Sequence, residues 1–178
     1  MKGEGRDWTR SQFEACPECG FDASLVADDE LARALTDETA RWGAFLAVAP
    51  VVDLRRWTEP GVWSGLEYAC HVRDVIGVFH ERVRRTATEP GRRLGWWDHE
   101  AAVVAEAYNR QEPVLVAEAM AANARQLGQT LDGLDRCALD LTAERRPGEH
   151  FTIRGMARFV LHELAHHRHD ARRLVYGA

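Results

Sequence analysis

Apolar residues in this chain recur every three or four positions through four long stretches, each closed by a capping residue, a proline or a glycine. That spacing lines one stripe of a helix, whereas a half-buried strand needs an apolar residue at every second position. The first stretch starts at Asp28 or Asp29 and carries Leu31, Leu35, Trp42, Phe45, Leu46 and Ala49 before Pro50 stops it. The second follows the Pro60-Gly61 turn, with Ser64 as cap, and runs to Thr86 through Tyr68, His71, Val72, Val75, Phe79 and Val83. Glu89-Pro90-Gly91 breaks the pattern, and a shorter helical piece over 98–109 follows. Pro113, tolerated in a first helical turn, opens the third long stretch, which passes Val114, Val116, Met120, Leu127 and Leu131 and ends near Asp135. Thr152 caps the last, which ends at Gly177. No stretch shows strand alternation. The expected fold is all-α: an antiparallel-type four-helix bundle over 28–178, with an extra short helix between helices two and three.

Length and charge narrow the function classes. A chain of 178 residues can bury one real core, and its formal net charge of −5 offers no basic face for nucleic acid. No apolar run approaches the roughly 18 residues of a membrane span, and the polar start Met1-Lys2-Gly3-Glu4-Gly5-Arg6 lacks the apolar core of a signal peptide. The expectation is a cytoplasmic protein with no nucleic-acid or membrane partner and a small-molecule substrate; a homodimer stays open.

Chemistry concentrates in the last helix. Leu161 to Asp170 holds four histidines and two carboxylates in ten residues, in a chain with eight histidines. Imidazole and carboxylate are ligands for zinc, nickel or iron. The string His162-Glu163-Leu164-Ala165-His166 matches the zincin protease motif, but the further glycine and histidine of the extended pattern are absent, and no upstream strand could hold a peptide.

Helical geometry selects among the candidates. With Val160 on the core stripe as zero, His167 falls at about −20° and Glu163 at about −60°, while His162 and His169 fall near 200° and 180°. The inward pair four residues apart is therefore Glu163 and His167, with His166 and Asp170 flanking the stripe and His162 facing away. On the second helix His71 lies at about −40° from Val75, inside that helix's own apolar stripe. One histidine thus meets a Glu/His pair across the bundle, the way bundles commonly build metal sites.

The block Trp63-Ser64-Gly65-Leu66-Glu67-Tyr68-Ala69-Cys70-His71-Val72-Arg73-Asp74, followed by the His/Glu-rich last helix, resembles the DinB-like metalloprotein superfamily over residues 29–176. The resemblance implies a four-helix bundle holding a divalent ion through one histidine of the second helix and two ligands four apart on the last. It also implies relatives among thiol-dependent transferases and mycothiol-dependent maleylpyruvate isomerases. In the isomerase branch the last-helix pattern looks like Glu-x-x-x-His-x-x-Asp, which Glu163, His167 and Asp170 reproduce. The superfamily's other pattern, His-x-x-x-His, would select His162 and His166 instead.

The metal ligands expected are therefore His71, Glu163 and His167, leaving an open coordination position. A low-molecular-weight thiol there would be held as thiolate and attack a small electrophile, giving S-transfer or isomerisation. His166 and Asp170 would orient ligands or move protons, and Arg154 and Arg168 would contact an acidic substrate or cofactor. Water in the open position would give a small-molecule hydrolase. A non-enzymatic metal-binding stress-response protein is the third reading.

Other features have less defined roles. Residues 1–27 read as a lead-in segment without sustained period, carrying Cys16-Pro17-Glu18-Cys19 as half of a zinc site, a redox dithiol or two ordinary cysteines. Trp57, Trp63, Trp96 and Trp97 are packing anchors or pocket walls, and His80, His99 and His150 read as surface residues.

Overall fold

Ser64 starts the second long helix with a reciprocal cap: its hydroxyl accepts from the Glu67 amide at 3.2 Å, and the Glu67 carboxylate accepts from the Ser64 amide at 2.7 Å. That junction fixes where His71 falls, two turns into the helix. It belongs to a computed structural model that describes residues 8–177. The predicted signal-peptide-free start, Met1 to Arg6, lies outside the described residues.

The long helices are α1 (Leu31–Val48), α3 (Gly65–Thr88), α5 (Pro113–Asp132) and α6 (Ile153–Tyr176), with short helices α2 (Val51–Leu54) and α4 (His99–Ala105) in the connections. In this four-helix bundle α1 packs on α5 and α6, and α3 packs on the same two. Helices α1 and α3 therefore stand across one diagonal, and α5 and α6 across the other. Two features of α6 fix its rotation. Thr152 accepts from the Gly155 amide at 2.9 Å, and the fully buried Trp42 of α1 donates its indole N–H to the Leu164 carbonyl at 2.8 Å. Gly177, at φ 70°, ends the helix in the left-handed conformation that glycine adopts without steric cost.

The expectation of no strands is corrected. Strands β1 (Thr142–Arg146) and β2 (Glu149–Thr152) form an antiparallel hairpin between α5 and α6, turning at Pro147-Gly148 with Gly148 at φ 81°. Each strand points one side chain fully inward, Ala143 and Phe151, and a register irregularity after Glu144 interrupts the pairing. Four to five residues with one buried position each leave no alternation to read. Phe151 packs edge-on against Phe159 of α6 at 5.8 Å between ring centres, tying the hairpin to the bundle.

The lead-in is packed against the bundle. Its short 3-10 turns, Trp8–Gln12 and Ala23–Leu25, lie against α6, and Cys16 and Ala23 are buried. Among the described residues no helix is long and apolar enough to cross a membrane.

Candidate metal centre

His71 on α3 and Glu163 and His167 on α6 converge, all buried, with one donor atom from each within 4.8 Å of the others. One carboxylate oxygen, Glu163 Oε2, stands 3.6 Å from His71 Nε2 and 3.4 Å from His167 Nε2. These separations are long for hydrogen bonds, but donors held ~2.0–2.2 Å from one ion at tetrahedral angles stand ~3.4 Å apart. Two imidazoles and one carboxylate are also the donor set of open catalytic zinc sites and of non-haem iron sites. The residues therefore fit a divalent ion in both spacing and chemistry.

Electrostatics point the same way. Burial alone would push the Glu163 carboxyl up, but His162, His167 and His71 around it hold it well below the usual carboxylate range. Burial would push His167 down, yet Asp170 and then Glu163 raise it to about 9, while His71 is lowered, chiefly by burial. The buried Glu163 carboxylate thus favours positive charge beside it.

The surroundings hold the rings in place. Trp97 stacks on His71 at 5.6 Å with the planes 7° apart, Trp63 lies tilted against the same ring at 4.8 Å, and Tyr68 stacks on His167 at 5.1 Å. Burial, then the nearby Asp170, Glu100 and Glu67, pushes the Tyr68 phenol up to about 12, so it stays protonated at neutral pH. Trp63 also lines a recess of about 600 Å³ shared with Trp57, Glu67 and Glu100. Trp96, in contrast, is exposed.

Two readings from sequence need correction. His99 is no incidental surface residue: it heads α4 beside the cluster, 5.7 Å from the His71 ring and 6.0 Å from that of Trp63, and stays about one-third exposed (35%). Its sequence signal was its position just after the Trp96-Trp97 pair, since Asp98 caps α4 and aims that turn. His162 does point away from the bundle core, but it is fully buried because the lead-in covers it. Its Nδ1 lies 3.6 Å from Glu163 Oε1, and it belongs to a separate group with Cys16, Cys19 and His166.

The remaining candidates divide. Asp170 Oδ2 stands 3.4 Å from both His167 Nδ1 and His166 Nε2, so Asp170 and His166 flank the cluster. Arg154 is not brought there: nine residues before Glu163, roughly 13 Å along the helix axis, it pairs with Asp28 at 2.7 Å and with Asp140. Arg168 donates to Glu38 of α1 at 3.1 Å and lines a different recess with Cys19, Arg41, Arg172 and Arg173. Each arginine is turned toward a carboxylate outside the three-ligand cluster. His80 meets Thr130 at 2.9 Å, and His150 is exposed on β2.

Comparison with known proteins agrees with this architecture. The family model of the DinB superfamily matches residues 29–171. Among solved structures, YfiT from Bacillus subtilis superposes with a TM-score of 0.75 at 16% identity, covering 90% of this chain and 93% of that one. YfiT is described as a probable metal-dependent hydrolase with an unusual four-helix bundle topology. A search of curated proteins finds no significant match.

Proposed function

The chain belongs to the DinB superfamily, and from that premise we propose that it is a divalent-metal-dependent enzyme acting on a small electrophilic substrate, with a low-molecular-weight thiol as the nucleophile. The observation that carries the reading is the convergence of two buried imidazoles, His71 and His167, on one oxygen of buried Glu163, from two facing helices. Three protein ligands leave room for an exogenous one. Zinc is the first candidate, with nickel and iron accommodated by the same donors.

When bound, the ion supplies Lewis-acid lowering of the nucleophile's pKa, so that a thiol reacts as thiolate near neutral pH. The chain's own residues do the rest. Asp170 accepts from His167 Nδ1 and so fixes which nitrogen of that ring faces the substrate side. His166 meets the same carboxylate oxygen with its Nε2 at 3.4 Å and helps hold Asp170 in place. Trp63 and Trp97 wall the His71 side and exclude water, which strengthens every charge interaction inside. His99, near His71 yet in contact with solvent, is placed to carry a proton between the substrate and bulk water, with Glu100 3.8 Å behind its Nε2.

A second reading, hydrolysis of a small molecule with water as the nucleophile, is favoured by the description of YfiT as a probable metal-dependent hydrolase. One experiment separates the two. Zinc-, nickel- and iron-loaded protein is incubated with model electrophiles, with and without mycothiol or another low-molecular-weight thiol, and products are read by mass spectrometry. Thiol adducts or thiol-dependent isomerisation, lost in His71→Ala, support the transferase or isomerase reading. Thiol-independent hydrolysis replaces it with the hydrolase, and metal uptake without turnover of any substrate overturns both.

A further inference from the structure

We propose that Cys16, Cys19, His162 and His166 form a second metal centre, a closed Cys2His2 zinc site that fastens the lead-in segment to the outer face of α6. The four side chains place one donor atom each within 4.8 Å of one another, and three of the four residues are buried. Cys16 Sγ lies 3.6 Å from His166 Nδ1. Zinc–sulfur and zinc–nitrogen bonds of ~2.3 and ~2.0–2.1 Å at a tetrahedral angle set those donors ~3.6 Å apart.

Each half of the site has the local geometry such a centre needs. The cysteines sit in a tight turn: the Gly20 amide donates to the Cys16 carbonyl at 2.8 Å, and the Cys16 amide donates to the Phe21 carbonyl at 2.9 Å. Gly20 at φ 74° takes the left-handed conformation that closes the turn. The backbone amides of Glu18 and Cys19 also point toward the Cys16 sulfur. The histidines are four apart on α6 and stack at 5.1 Å between ring centres, presenting two imidazoles toward the turn. Cys70 is buried against the Tyr108 carbonyl and Cys137 is exposed, so neither belongs to this group.

Charge and orientation favour an ion over mere packing. Two thiolates and two neutral imidazoles balance a divalent cation, which suits a site that the lead-in shields from water. Metal-binding histidines characteristically turn their second nitrogen toward a carboxylate, and a carboxylate oxygen stands near a ring nitrogen of each histidine here. His166 Nε2 stands 3.4 Å from Asp170 Oδ2, and His162 Nδ1 stands 3.6 Å from Glu163 Oε1, an ion-pair distance. Those carboxylates also serve the first cluster: Glu163 supplies its shared oxygen and Asp170 orients His167. The two centres thus stand back to back on α6, joined through two carboxylates.

The test uses the full chain, loaded with zinc or cobalt and analysed for metal per chain and for visible and near-ultraviolet absorption. The expected result is two ions per chain, falling to one in Cys16→Ser/Cys19→Ser and to one in His71→Ala. The cobalt form should show thiolate-to-cobalt charge transfer that the cysteine variant loses and His71→Ala keeps, so the outcome does not depend on any catalytic activity. The unmutated chain suffices if a variant fails to fold, because the charge-transfer band itself reports thiolate ligation. Absence of that band, or metal content indifferent to the cysteines, overturns the proposal. Reversible formation of a Cys16–Cys19 disulfide without release of an ion overturns it in favour of a redox dithiol.

Discussion

Asp170 is outside the three-ligand set, yet one of its oxygens stands 3.4 Å from a nitrogen of each of two neighbouring imidazoles, His166 and His167. Burial alone would raise its pKa, but the hydrogen bond with His167 and the neighbouring imidazoles lower it, so it is a carboxylate at neutral pH. Replacing it with asparagine keeps the shape and removes the charge. Because groups that orient a metal ligand typically matter 10–100-fold for affinity, Asp170→Asn is expected to weaken the His71/Glu163/His167 centre by roughly that factor while leaving the helix intact. Competition with a chelating dye would measure it, and unchanged affinity would remove Asp170 from the site. His71, Glu163 and His167 could be found together from sequence because a regular helix turns about 100° per residue, so three sequence positions become three directions. His99 carried only the weaker signal of the Asp98 cap after Trp96-Trp97, since its place beside His71 depends on the path of the loop after Thr88, which no periodicity encodes.

The start of α6 is anchored by an ion pair rather than by ligands: Arg154 donates to both carboxylate oxygens of Asp28, at 2.7 and 3.0 Å, just ahead of α1. That bidentate contact, first among its causes, holds Asp28 below its ordinary 3.8. A depressed carboxylate contributes stability above its unfolded value and loses it as pH falls through the folded one. Asp28→Asn should therefore cost about 1 kcal/mol at pH 7 and at pH 5, with the gap closing below about pH 4. Urea unfolding of both proteins across that range checks the sign, and a gap that widened in acid would refute the assignment. The boundaries of the long helices were legible in the same local chemistry: Ser64 and Thr152 as caps, Pro113 in a first turn and Gly177 at the end. The β1–β2 hairpin was not, because its strands are short and each buries a single inward residue. Burial of His162 was hidden for another reason. Helical angle placed it correctly outside the core, but only tertiary structure brings a segment from the start of the chain to cover it.

In the whole molecule, ligands from separate elements make metal binding and stability one equilibrium. An ion that binds only the folded chain stabilises it by about 2.7 kcal/mol at a hundredfold excess over Kd, worth roughly 5–10 °C in Tm at this size. Chelation is expected to lower Tm by about that amount, and readdition of zinc to restore it, as scanning calorimetry would show; a Tm indifferent to both would mean that neither cluster holds an ion. Helix α6 has a further consequence for how the protein is made. Every other described element precedes it in the chain, yet it supplies two of the donors in each cluster. As the ribosome delivers the chain in order, the lead-in and α3 emerge with Cys16, Cys19 and His71 alone, one of three donors for the first cluster and two of four for the second. On the proposed ligand sets, tight metal capture would wait for Glu163 and the histidines beside it, so a nascent chain that stops short of α6 would not compete for scarce ions.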